Sequence, residues 1–461
     1  MPDPRPLPSS QPSASGPARR SAREWLGSDK PLARIVRNLL WLMSGKGVAA
    51  ILSLVYLGVA TRTLGVVDFG RFALILSMGG AIALFAQFDC WRVVMRFGAA
   101  HLHEGRQDAL GRLVAACRLF DIIGFAIGAS IALSATALLV HFGQWERETA
   151  RDALLYCLAI LGAVRSTPMG VLRLHHRFDL STYAETMVPL TRMVGTVTAL
   201  LFKPDVTGFL IAWAASELAS ALTFWWLAWR TDRSALAWKY SLAIRRTLRE
   251  EKGLLPFLGV TNLGTSIGGL TNQAPVLLLG GFTGPAAAGL FRLAFQLSRA
   301  LAKVSTLISR STYAELNHVL ASDGHEALRK LLRKTDRIAL VAGIALLLVI
   351  AALGKPILWL IAGSEFSGAY PILLVLGLAA SIDFIGINYE PALLAATSGG
   401  SVLRLRLIGA VVQLALLALL LPPLGAIGAA WSIAASSATT FLLFHIAVRR
   451  HVHNGQKMKK D

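Results

Sequence analysis

The sequence predicts an all-α polytopic membrane protein: twelve transmembrane helices in two pseudo-symmetric six-helix lobes around a central cavity, with both termini in the cytoplasm. Three observations lead there. First, the 461 residues are 54% hydrophobic and only 16% charged, against about 25% charged in soluble domains, and the apolar residues come in blocks of twenty or more. Second, charge alternates between successive loops. Third, the chain repeats itself weakly at a spacing near 220 residues.

In chain order, residues 1–34 are rich in Pro, Ser and Arg and lack an apolar core. They are expected to form a disordered basic cytoplasmic tail, not a secretory signal. Hydropathy and punctuation then place spans at roughly 35–61, 72–91, 119–141, 153–172, 183–202 and 208–229, the N-lobe. A basic, amphipathic cytoplasmic linker, "RTDRSALAWKYSLAIRRTLREEK" (230–252), follows. The C-lobe, 253–449, carries spans at 254–281, 287–309, 338–361, 371–397, 407–421 and 428–448, before a short basic tail at 450–461. Of the 46 Lys and Arg, 34 fall in the seven stretches on the side of the termini and only six in the loops opposite. That asymmetry predicts cytoplasmic termini and an even number of spans. The net charge of +20 is therefore spent on topology, and no nucleic-acid partner is expected. Cys90, Cys117 and Cys157 show neither metal spacing nor a disulfide framework and read as small buried hydrophobes.

Six cations remain inside the spans: Lys46, Arg165, Arg192, Arg292, Arg299 and Lys303. In "MSGKGVAA" (43–50), Lys46 lies about 17 Å into an apolar run at 1.5 Å per residue. A lysine at that depth costs roughly 3 kcal/mol on insertion scales. On the eighth span, Arg292, Gln296, Arg299 and Lys303 fall within about 60° of one another at 100° per residue. Such a stripe should face protein or a water-filled cavity. The seventh span, "TNLGTSIGGLTNQAPVLLLG" (261–280), places Asn262, Ser266, Gly269 and Gln273 on one face. That face either lines the cavity together with Ser53 of the first span or packs a neighbouring helix through small residues. The embedded acids Glu217, Asp383 and Glu390 are candidates either for counter-ions or for H⁺ or Na⁺ coupling. Asp383 and Glu390 are seven apart, hence on one face of a continuous tenth span. Bases exceed these acids, so an anionic ligand is the natural partner of the cavity; Arg grips phosphate oxygens bidentately and Lys acts as a point charge.

"TLGVVDFGRFALIL" (63–76) aligns with "FTGPAAAGLFRLAF" (282–295), matching Gly65, Gly70, Phe72 and Leu74 to Gly284, Gly289, Phe291 and Leu293. "VTGFLIAWAAS" (206–216) aligns with "AIGAAWSIAAS" (426–436), matching Gly208, Ala214, Ala215 and Ser216 to Gly428, Ala434, Ala435 and Ser436. Two matches at nearly one offset, bracketing six spans each, predict a parallel repeat suited to alternating access.

The opening Ser-Gly-Lys helix, "LGVVDFGRF" and the late "LPPLGAIGAAWS" (421–432) together resemble the polysaccharide transporters, the O-antigen and capsule flippase branch of the multidrug/oligosaccharidyl-lipid/polysaccharide exporter superfamily. "PAAAGLF" departs from the family pattern in lacking an aromatic directly after glycine. The resemblance implies a bacterial inner-membrane flippase for undecaprenyl-diphosphate-linked oligosaccharide, serving lipopolysaccharide, capsule or exopolysaccharide synthesis. It also implies membrane lipids, a glycan polymerase and glycosyltransferases of the same pathway as partners. No cofactor is expected beyond H⁺ or Na⁺ coupling or the membrane potential. Twelve spans disfavour the peptidoglycan-precursor branch, whose members have fourteen. The alternatives are a cation-coupled multidrug exporter of the same superfamily, which calls for an acid-rich cavity, or a membrane polymerase or transferase. The loop "KPILWLIAGSEFSGAY" (355–370) carries no catalytic set, so no enzyme is expected.

Overall fold

The computed structural model describes residues 31–237, 240, 244–300, 324–396 and 399–457, with side chains left aside at 31–51, 244, 324–335, 338, 391, 394–396, 399 and 451–457. Residues 1–47 and 48–461 are separate compact units. What is described of the first is the helical start of α1; all that follows concerns the second.

The described residues are almost wholly helical. The first half contains α1 (Pro31–Ala86), α2 (Cys90–His103), α3 (Gln107–His141), α4 (Arg147–Gly162), α5 (Ser166–Leu174), α6 (Phe178–Phe202) and α7 (Val206–Thr231). After a short α8 (Ile244–Glu250) come α9 (Leu254–Phe282), α10 (285–300), α11 (Gly324–Ala362), α12 (Ala369–Ile385), α13 (Tyr389–Ala396) and α14 (Gly399–Lys457). Seven helical segments among the described residues are long and apolar enough to cross a membrane. Two of these, Leu52–His103 and Gly400–Arg450, run 52 and 51 residues, more than twice the ~20 that one crossing needs. Both hold a glycine that breaks the helix: Gly65 (φ 69) in α1 and Gly425 (φ 56) in α14. At these φ values a Cβ is strained and glycine is not.

The first pair of matched repeat segments, 63–76 and 282–295, meets in space. Gly65 and Gly284 both take positive φ. The second half of α1 crosses α10 where a Cβ on Gly70 would lie 1.8 Å from the Pro285 carbonyl oxygen, and one on Gly289 would lie 3.0 Å from the Gly70 Cα. Only glycine permits such an approach. Phe72, Leu74, Phe291 and Leu293 are all buried beside the crossing. Phe72 packs edge-on to Trp213, and Phe69 to Phe366, so the core joins both halves of the chain. Antiparallel to this segment of α1 runs α9: Leu74, Gly80 and Leu84 face Gly280, Gln273 and Gly269. Near the kink, Arg62 donates to the carbonyls of Trp359, Leu360 and Ile361 at 3.3, 2.7 and 3.1 Å. It thereby satisfies the Leu360 and Ile361 carbonyls that the end of α11 leaves open, while Trp359 also accepts from the Gly363 amide at 3.0 Å.

Besides the second, 72–91, which is interrupted at 87–89 near its end, two expected spans are not continuous. The fourth, 153–172, is broken at 163–165 between α4 and α5, and the tenth, 371–397, at 386–388 between α12 and α13. The sequence signal is a proline in the first turn of each second piece, Pro168 and Pro391. There it forfeits no hydrogen bond, yet its ring disfavours helix immediately upstream. In each half a carboxylate from a neighbouring helix meets the break. Asp121 of α3 accepts from the Thr167 hydroxyl at 2.5 Å; Asp336 of α11 accepts from Asn388 and Tyr389 at 3.5 and 3.3 Å.

Candidate functional site

Arg165 sits at the N-cap of α5, directly on the first break. Glu217 projects from α7, whose start is capped by the Asp205 carboxylate accepting from the Gly208 amide at 2.8 Å. Arg192 comes from α6, which packs along α7. Glu217 bridges the two cations: its Oε1 accepts from Arg192 at 2.8 Å, and its Oε2 lies 2.8 Å from Arg165 Nη2. Arg192 also donates to the Ser216 hydroxyl at 3.1 Å, and its guanidinium lies 4.9 Å from the Trp213 ring centre and 5.5 Å from Tyr56. The side chains of Arg192 and Glu217 are 14% and 13% exposed, whereas that of Arg165 is 37% exposed. The inner pair is therefore structural, and Arg165 is the reachable cation. Two guanidiniums share one carboxylate, so one positive charge is left over within this triad; the Asp121 and Asp89 carboxylates stand nearby, Asp121 engaged by Thr167 and Asp89 3.4 Å from Arg92.

Arg292 on α10 is half-buried, within electrostatic range of Tyr156, Arg192 and Arg299, and has no acidic partner among the described residues. Gln296, one turn on, is half-buried. Arg299 donates to Asn272 Oδ1 on α9 at 2.9 Å and lies over Phe295. Lys303, and the side chain of Lys46, lie outside the described residues. Ser53 is half-buried and has a polar partner.

The polar face of α9 resolves into helix packing over most of its length. Ser266 is buried and donates to the Leu84 carbonyl, and Gln273 abuts Gly80. A hydroxyl in a membrane interior must find an acceptor, and α1 offers one at close range because the facing residues are small. Asn262 is half-buried. The residue of α9 that reaches a cavity is Thr265, one position off the expected face. That cavity, about 290 Å³, is also lined by Arg165, Asp121, Asp89, Gln87 and Trp91. Trp91 lies under the guanidiniums of Arg92 and Arg173 at 5.1 and 4.8 Å.

The remaining acids separate. The break at 386–388 takes Asp383 and Glu390 off any common helix face, which corrects the expectation drawn from their spacing. Glu390 pairs with Arg406 at 2.6 Å, whereas Asp383 is exposed. Outside the spans, His175 Nε2 lies 3.0 Å from Asp232 Oδ2, tying the end of α5 to the end of α7. Burial would raise the Asp232 carboxyl, but His175, the Ala235 amide and the Ser234 hydroxyl together hold it down at about 2. Asp121 and Thr167, now at the centre of the picture, carried only one sequence signal: a carboxylate at the edge of a span.

Helices broken at matching points of two halves, with charged side chains at one break, define a class of membrane transporter. Solved structures agree on the fold. A multidrug resistance MATE family transporter of the MOP superfamily in an inward-facing conformation aligns with TM-score 0.72 at 14% identity, over 88% of this chain and 96% of that one. The lipid II flippase MurJ, inward closed, aligns with TM-score 0.66 at 14% identity, over 89% and 87%. A MOP superfamily transporter from Pyrococcus furiosus Vc1 aligns with TM-score 0.58 at 15% identity, over 94% and 99%.

Residues 35–313 match the family described as "Polysaccharide biosynthesis protein", and the chain belongs to it. It is 30% identical over 353 residues to the inner membrane protein YghQ of Escherichia coli (strain K12), covering 76% of this chain and 98% of that protein. It is a multi-pass membrane protein whose fold is that of transporters and flippases.

Proposed function

We propose that this protein flips a polyprenyl-diphosphate-linked oligosaccharide, an anionic lipid-linked glycan, across the bacterial inner membrane by alternating access. The observation that carries the reading is the excess of guanidiniums in the triad at the first break: Arg165 and Arg192 share Glu217, and Arg292 stands nearby with no acidic partner among the described residues. A diphosphate arriving at Arg165 would complete that charge balance with bidentate hydrogen bonds. The family supports a glycan cargo, and the fold shared with a lipid II flippase supports a lipid-linked one. Service to O-antigen, capsule or exopolysaccharide synthesis, and the pathway partners it implies, belong to this proposal. So do contributions from Lys46, Gln296, Arg299 and Lys303, and ion coupling through Glu217, Asp383 or Glu390.

The reading includes twelve crossings in two lobes, 35–229 and 253–449, joined by 230–252, with both termini cytoplasmic. Reporter fusions after residues 145, 240 and 455 test it. The first should be active only outside the cytoplasm and the other two only inside; any reversal refutes the topology. A cation-coupled drug exporter is the rival, and the basic surplus at the break disfavours it.

The transport test uses proteoliposomes and a fluorescent lipid-linked oligosaccharide, with flipping followed by protection from a membrane-impermeant quencher. Arg165→Ala combined with Arg292→Ala should slow flipping at least tenfold at unchanged reconstitution. Wild-type rates in that variant would sink the anionic-site reading.

A further inference from the structure

Two cavities meet at the break between α4 and α5. One is the polar cavity that holds Arg165. The other is a larger cleft of about 630 Å³ whose lining is almost wholly apolar. Leu119, Ile122 and Phe125 of α3 form one wall, and Trp225 and Trp229 of α7 another. Asp121 and Val164 line both cavities, so the two adjoin at the break itself.

The cleft follows from the broken helix. Gly162, the last residue of α4, presents no side chain to it. The break also frees the Val164 carbonyl, which accepts from the Trp225 indole at 2.9 Å, and that bond holds the ring as a wall. A freed carbonyl inside a membrane needs such a donor. Ile122 is 57% and Trp229 45% exposed, and both stand on helices apolar enough to cross a membrane, so the cleft opens sideways toward lipid. At one end Arg118 donates to the Leu236 and Ala237 carbonyls at 2.9 and 3.1 Å, closing the cleft against the segment that follows α7.

Its volume falls within the roughly 300–1,000 Å³ of ligand sites. An apolar cleft facing lipid gains nothing by hydrophobicity alone, since lipid tails are as apolar as its walls. Selective occupancy requires a chain anchored elsewhere by its head. The adjoining cavity supplies the anchor, the reachable Arg165 guanidinium, which has only a share of Glu217 because Arg192 holds the same carboxylate. Asp121, engaged by Thr167, and Asp89, paired with Arg92 at 3.4 Å, also line that cavity and repel an anion, so the head must seat against Arg165.

We infer that this cleft holds the isoprenoid tail of the lipid-linked substrate while its diphosphate lies in the polar cavity at Arg165. The inference rests on the flippase reading above and adds to it a lateral entrance between α3 and α7.

The test uses the full chain in phosphatidylcholine nanodiscs and a farnesyl diphosphate bearing a benzophenone at its tail end, with cross-links mapped by mass spectrometry. Labelling should fall on the peptides containing Ile122, Phe125, Trp225 and Trp229, and excess geranylgeranyl diphosphate should reduce it at least tenfold. Ile122→Trp, a change at an exposed position, should reduce it at least fivefold. Saturable labelling confined to other helices would overturn the cleft and leave the flippase reading standing. Equal, undisplaced labelling of the cleft by a photoreactive phosphatidylcholine would assign it to an ordinary bilayer lipid only and overturn the inference. Absence of saturable labelling anywhere would count against the flippase reading, and the inference would fall with it.

Discussion

Glu217 holds two arginines that enter from different helices, and losing Arg192 in addition to it should have an effect opposite in sign to a simple count of contacts. Deleting one partner of a buried ion pair typically costs about 3–5 kcal/mol because the other charge stays buried. Glu217→Gln should therefore lower the unfolding temperature in detergent, and Glu217→Gln with Arg192→Gln should recover part of the loss, as read by thermal-shift fluorescence. A double variant weaker than the single one would refute the pairing as the source of stability. At Asp232 the prediction concerns pH. Its carboxyl titrates at about 2 in the folded protein and near 3.8 when unfolded, so the folded state binds the proton less tightly. Its contribution, about 2 kcal/mol at about 1.36 per unit, is complete above the unfolded value and lost as pH falls through about 2. Asp232→Asn should flatten the loss of stability between pH 4 and pH 2, measured by chemical denaturation. None of these pairings was legible in the sequence. Arg192 and Glu217 were visible as isolated embedded charges, but nothing local says that Arg165, 52 positions before Glu217, closes on the same carboxylate.

Among the elements, apolar length and glycine position were legible, and continuity was not. A hydropathy window averages across a break of three residues, so the fourth and tenth spans read as unbroken although Pro168 and Pro391 marked both interruptions. The repeat was legible because its glycines answer to geometry: Gly70 and Gly289 are where two backbones touch. Gly70→Leu should prevent close crossing of α1 and α10, giving loss of monodisperse protein on size exclusion, whereas Arg71→Leu, its exposed neighbour, should be tolerated. The polar face of α9 shows the limit of helical-wheel reasoning. The wheel groups residues correctly but cannot say whether the facing surface is water or another helix, and Ser266 faces a helix.

On the scale of the whole molecule, loop charge pointed to topology, and the excess of embedded bases over acids pointed toward an anionic cargo. The place where charge and apolar surface adjoin emerged only from folding, because it draws on α3, α4, α5 and α7 at once. The polar cavity and the apolar cleft touch at two residues, Asp121 and Val164. An amphipathic cargo needs both environments within one molecular length, which a list of spans cannot express.

Arg62 has a bearing on the transport cycle. Its three hydrogen bonds to the end of α11 join the two halves of the chain beside the Gly65 kink. Under the proposed alternating access an opposite-facing state separates that end, and the bonds would then act as a thermodynamic weight on one pan of a two-state balance. A weight of about 1.4 kcal/mol shifts such a balance tenfold. Arg62→Ala should thus raise the population open at that end without disturbing the cargo's contacts. Electron-spin distance measurements between labels at residues 67 and 359 should register a larger long-distance fraction, and an unchanged distribution would show that Arg62 carries no such weight.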